Sequence, residues 1–123
     1  MDLSKFDSRK KAEEGEELAI EGTDVVVRII GEDSATYRQY QLDQANKRAK
    51  NRSKDLSVDE LDRLVAEEAA SFIIDWRNVQ INGQDKEYSR AAAIEACGIP
   101  WFREQVVSFA RTRTNFLPKS QSN

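Results

Sequence analysis

The stretch Leu56–Trp76, LSVDELDRLVAEEAASFIIDW, constrains this chain more than any other. Ser57 and Glu60 have the spacing of a capping box, in which the serine oxygen accepts the N3 amide and the glutamate reaches back to the cap amide. Leu56 and Leu61 occupy the two positions of a hydrophobic staple. Val58, Leu61, Leu64, Val65, Ala69, Phe72, Ile73 and Trp76 then recur at steps of three and four. At roughly 3.6 residues per turn, this predicts one central helix of about five turns, ending near Asn78. Asp59, Asp62, Arg63, Glu67 and Asp75 fall off the stripe. Such a helix is stable only if its stripe is covered, so the remaining elements must supply a surface for it.

A chain of 123 residues fits a single domain, 1–123, with one modest core. The segments flanking this segment predict an α+β fold dominated by helices. Residues 1–15 read as a flexible or short-helix arm, which Ser4 could cap and Gly15 could close, with Arg9, Lys10 and Lys11 solvated. Glu16–Gly31 reads as an N-terminal β-hairpin: Leu18 and Ile20 alternate with polar residues, EGTD has turn composition, and Val25–Ile30 is β-branched except for Arg28. Asp33 or Ser34 caps a helix running to about Arg52, with a thin seam of Tyr37, Tyr40, Ala45 and Ala49. The short polar link after it predicts an antiparallel pair with the central helix. Asn82-Gly83 marks a second small hairpin, because a type I′ turn needs positive φ at both central residues. Ser89 caps a short alanine-rich helix closed by Gly98 in a C′-like role, and Pro100 starts a last helix with Phe102, Val106, Phe109 and Ala110 on one face. Residues 118–123 read as a flexible tail.

Catalytic patterns are missing from this reading. There is no histidine, and the single cysteine, Cys97, sits among alanines in a packing context. The five glycines are too scattered for a phosphate-binding loop. Adjacent acid pairs such as Glu13-Glu14 and Glu67-Glu68 point to different sides of a helix. The expectation is a non-enzyme without cofactor or metal. One cysteine and no apolar leader point to a soluble intracellular protein without a membrane partner. Partner contact is expected at three places. Lys47, Arg48, Lys50 and Arg52, followed by Lys54, form a cation run without an acid, which suits either the end of the helix dipole or an acidic partner. Trp101 starts the last helix, where core and partner contact are evenly balanced. Phe116 and Leu117 lie beyond the last periodic helix, and either fold back or form a docking end. Nucleic acid is an unlikely partner: the net charge is −3, and no aromatics are interleaved with the cations.

Four segments together resemble a known family. WRNVQING from Trp76, EYSRAAAI from Glu87, PWFREQV from Pro100 and RTNFLPKS from Arg113 look like the tail assembly chaperones of long-tailed, siphovirus-type bacteriophages. The opening DLSKFDSRKKAEEGEELAI, the hairpin after it and DSATYR also look like the start of such proteins. The resemblance thus spans most of the chain, and it lies in order, spacing and length rather than in a catalytic signature. It implies a small helical protein made in the host cytoplasm, needed for tail morphogenesis and missing from the finished virion. It implies two partners: the tape measure protein, which such chaperones coat, and the tail tube subunits they bring to it. Many members also exist in a longer, frameshifted form. The acidic central helix and the basic end of the helix before it suggest homo-oligomeric assembly through opposite charges, in rings or helical arrays. Two alternatives stay open: a structural tail or head–tail connector subunit, and a small nucleic-acid-binding phage regulator using the basic helix 38–54.

Overall fold

A computed structural model describes residues 1–51 and 55–118. The expected fold class is the one observed: helix-dominated α+β, with an N-terminal antiparallel hairpin and a second small one. A 3-10 turn at Leu3–Phe6 leads into α1 (Arg9–Glu14), which ends at Gly15. Hairpin strands β1 (Glu16–Ala19) and β2 (Val26–Ile29) follow. Next come α2 (Ala35–Lys50), α3 (Val58–Ala70) and β3 (Ile73–Arg77). The Asn82-Gly83 hairpin pairs β4 (Gln80–Ile81) with β5 (Gln84–Asp85). Helices α4 (Arg90–Cys97) and α5 (Pro100–Arg111) and a final 3-10 turn at Arg113–Phe116 complete the chain.

The largest departure from expectation is at the centre. The predicted helix stops at Ala70, not near Asn78, and residues 73–77 form a strand instead. This strand joins the hairpin, so the sheet is three-stranded and antiparallel in the order β1-β2-β3. The reason lies in the register. Arg28 pairs with Asp75, but Ile29 pairs with Ile73, which leaves Ile74 as an extra residue in a β-bulge. The bulge places the buried residues Ile73 and Trp76 three apart, a spacing that imitates a helix. The helix itself ends where Ser71 donates its hydroxyl to the Glu68 carbonyl. Ile73 and Ile74, both β-branched, then favour extended backbone.

The central strand β2 buries Val27 and Ile29 completely. Helix α5 packs on β2, α4 on α5, and α3 on α4. Alanines at 66, 69, 70, 92, 93 and 96 are buried and let the α3 and α4 backbones approach closely. Trp76 is core, as expected, though on a strand. Its indole N–H donates to the Lys86 carbonyl at 2.8 Å, and its ring meets Tyr88 edge-on at 5.7 Å. In the second hairpin Asn82 and Gly83 have φ of 54° and 78°, the left-handed pair that a type I′ turn requires. Gly98, by contrast, caps α4 with a right-handed φ of −69° rather than in a C′ role.

The N-terminal arm is a docked short helix. Ala12 is fully buried, and the Gly31 amide donates to its carbonyl at 3.0 Å. Glu13 accepts from the Thr36 amide at the start of α2, at 3.0 Å. The end of the chain closes over the same place. Phe116 packs against Gly31, where an added Cβ would lie 3.0 Å from its ring. Phe116 is 1% exposed, so it belongs to the core, and the fold-back alternative replaces the docking end expected for it. The expected tail from residue 119 lies outside the described residues.

Candidate docking groove between two helices

The serine caps set up the site. The Ser34 side chain accepts the Tyr37 amide and starts α2. Ser57 and Glu60 form both bonds of the capping box and start α3. The expected antiparallel pairing is joined at one end. Tyr37 stacks on Phe72 at 4.3 Å between ring centroids, and its hydroxyl donates to the Glu68 carboxylate at 2.9 Å. Arg111 of α5 donates to the same carboxylate at 3.0 Å. Burial, reinforced by Glu68, raises the Tyr37 pKa above the ordinary phenol value, which keeps this hydroxyl a donor.

The two helices share little close backbone packing, and an open groove lies between them. It consists of two adjoining depressions of about 570 and 580 Å³ that share Gln44, Arg48, Leu56 and Leu64. On the α3 side Leu56, which precedes the helix, and Leu61 and Leu64 line it together with Glu60, Arg63, Glu67 and Glu68, and Leu61 is 50% exposed. The α2 wall is polar and cationic, with Gln44, Lys47, Arg48 and Asn51. Among the described residues, Lys47, Arg48 and Lys50 form no ion pair with an acid. On the α3 rim Arg63 is already bonded to Glu67 at 3.0 Å. From Gln41 to Asn51 every residue of α2 except the half-buried Gln44 is exposed, as is all of 55–65. The outer halves of both helices therefore stand out from the body.

This reverses one expectation. Val58, Leu61, Leu64 and Val65 are surface residues; only the stripe from Ala66 onward reaches the core. An amphipathic pattern records that a face needs a cover, without saying whether the cover belongs to the same chain. The three leucines are thus site residues that the sequence reading assigned to packing.

The residues expected to bind partners are dispersed. Lys47 and Arg48 line the groove, and Lys50 lies just beyond it on α2. Arg52 lies outside the described residues, as does Lys54. Trp101 is 56% exposed at the start of α5 and does not line the groove. Phe116 is core and Leu117 half-buried. Val65 faces a separate depression, between α3 and α5, with Ala69, Arg103, Val107 and Arg111.

Elsewhere, Cys97 is buried, and that burial pushes its thiol up to about 12, far from a reactive thiolate. Among the described residues no cluster of acids and cysteine could hold a metal ion, and no helix is long and apolar enough to cross a membrane. No family model, curated protein or solved structure matches the chain.

Proposed function

We propose that this chain is a tail assembly chaperone of a long-tailed bacteriophage: it binds the tape measure protein in the host cytoplasm, keeps it soluble and helps recruit tail tube subunits. The resemblance of the segments 76–83, 87–94, 100–106 and 113–120 to that family supplies the identity of the partners. The observation that carries the holding role is the groove. Leu56, Leu61 and Leu64 stand open among charged residues on a projecting helix pair, an apolar surface that a docked partner would cover. A tape measure protein is long and helical, and an apolar helix face is what such a groove accommodates. Holding of this kind is stoichiometric and non-catalytic, and it calls for many copies along one tape measure. Contact between copies is part of the proposal, with the cationic end of α2 against the acidic α3 of a neighbour.

The test is co-expression with the tape measure protein of the same phage, followed by affinity purification. The proposal expects the tape measure protein to move from the insoluble to the soluble fraction and to co-purify. A tape measure protein that stays insoluble and unbound contradicts it. So does recovery of this chain as a stoichiometric component of purified virions, which is the connector outcome.

A further inference from the structure

We infer that Asn82 is a self-modification site: in the folded chain it cyclises onto Gly83, loses ammonia and reopens with water to aspartate or isoaspartate. The inference stands apart from the chaperone reading, since the reaction needs no partner or cofactor. Asn82 is the only asparagine in the sequence that a glycine follows. Glycine matters because its amide nitrogen must reach the asparagine Cγ, and a side chain beside that nitrogen would stand in the way. The structure leaves the path open. Asn82 and Gly83 are both exposed, and a Cβ added at Gly83 would meet nothing within 4 Å. Cyclisation also needs rotation about the Asn82 Cα–C bond, away from the turn geometry. The hairpin that resists it is short: Gln80 pairs with Asp85 and Ile81 with Gln84. A two-stranded ribbon of that size is marginal by itself, so the turn opens locally. Asn78 supplies the contrast. It shares the left-handed backbone, with φ of 66° against 54° at Asn82. A β-branched valine follows it, however, and its side-chain amide donates to the Asp24 carbonyl at 2.9 Å. Among the described residues no hydrogen bond tethers the Asn82 side chain in this way.

The atoms balance with water as the only reagent. The Gly83 nitrogen bonds to Asn82 Cγ, the Cγ–Nδ2 bond breaks, and the Gly83 amide proton leaves with the amino group as ammonia. Water then splits one of the two bonds from that nitrogen to the ring carbonyls. Breaking the bond to Cγ restores the main chain, with aspartate at position 82. Breaking the bond to the main-chain carbonyl carbon routes the backbone through Cβ and Cγ, which is isoaspartate. An aspartate-glycine pair still suits a type I′ turn, so the first product keeps the hairpin. The second adds a methylene to a loop whose length sets the register, so β4 and β5 come apart. The effect reaches the core through Lys86, whose amide donates to the Val79 carbonyl at 2.9 Å and whose carbonyl accepts the Trp76 indole N–H.

The test holds the full chain in warm, mildly alkaline buffer, folded or in urea, and then digests it with trypsin. Arg77 and Lys86 bound a single peptide, 78–86, that contains both asparagines. The expected result in the folded sample is a mass gain of acid over amide that grows with time. Fragment ions should place it at Asn82 with Asn78 unchanged, and the peptide should separate into aspartate and isoaspartate forms. Hydrogen exchange on the separated intact chains should be faster at Lys86 in the isoaspartate form alone, with Val27 and Ile29 as in the parent. The Asn82→Asp variant should match the aspartate form. A folded chain whose peptide keeps its mass overturns the inference, whether or not the urea sample converts. Equal conversion at Asn78 overturns it as well. Parent-like exchange at Lys86 in the isoaspartate chain overturns the loosening of the hairpin.

Discussion

At the scale of single residues, the side chains that close the structure lie where periodicity says least. Phe116 follows the last regular helix, and nothing local distinguishes folding back from protruding. Its burial depends on Gly31, remote in sequence, which leaves space for the ring, and on Phe109, which meets it edge-on at 5.7 Å. Phe116→Ala is expected to lower the unfolding free energy by about 3–5 kcal/mol. Trp101→Ala, at an exposed site, should stay within about 0.5 kcal/mol of the parent in the same urea titration. Asp33 makes a second link between the chain ends, accepting from Arg113 at 3.0 Å and from the Ser8 hydroxyl. The Arg113 hydrogen bonds above all hold the Asp33 carboxyl below its ordinary range. A carboxylate depressed in the folded state adds stability above the unfolded-state pKa of about 4, and that contribution is lost as pH falls through the lower folded value. Thermal melts should therefore shift downward below about pH 4, and Asp33→Asn should flatten that part of the profile while lowering stability at neutral pH. A profile identical to the parent's would remove Asp33 from the account.

At the scale of elements, the caps were legible and the helix-to-strand switch was not. Ser34, Ser57 and Ser89 each accept the amide three residues on, as their position before an apolar-periodic run suggests. Asn82-Gly83 likewise announces its turn, because few residue pairs tolerate that backbone. The segment after Ala70 misleads because the bulge at Ile74 brings two inward residues three apart, so a strand carries the spacing of a helix. The leucines of α3 mislead for a different reason. Their pattern is truly helical, but among the described residues nothing covers them. This predicts uneven local stability. The amides of α2 from Ala45 to Lys50, exposed on all sides, should exchange hydrogen far faster than those of Val27 and Ile29 in the central strand. Exchange in α2 should slow when a helical partner is added. Uniform protection across α2 before any addition would mean that the projecting helix needs no cover.

At the scale of the whole molecule, a tightly closed body is joined to an open helix pair. The body is stapled at both ends of the chain, by α1 through Ala12 and Gly31 and by the last turn through Phe116. The sheet and α3–α5 hold Tyr37 and Glu68 at the root of the groove, and the groove runs outward from that anchor to Asn51 and Leu56. The architecture separates the parts that confer stability from the parts that contact a partner, so groove substitutions should leave the melt untouched. Half of the groove could be read from sequence: the cation run shows itself by composition. The apolar half could not, since one chain's exposed stripe and another's buried stripe have the same pattern. The most direct measurement is the yield of soluble tape measure protein co-purified per mole of this chain, compared between the parent and a Leu61→Asp, Leu64→Asp variant of equal melting temperature. The account predicts abundant soluble tape measure protein with the parent and almost none with the variant. Equal yields from the two would contradict it.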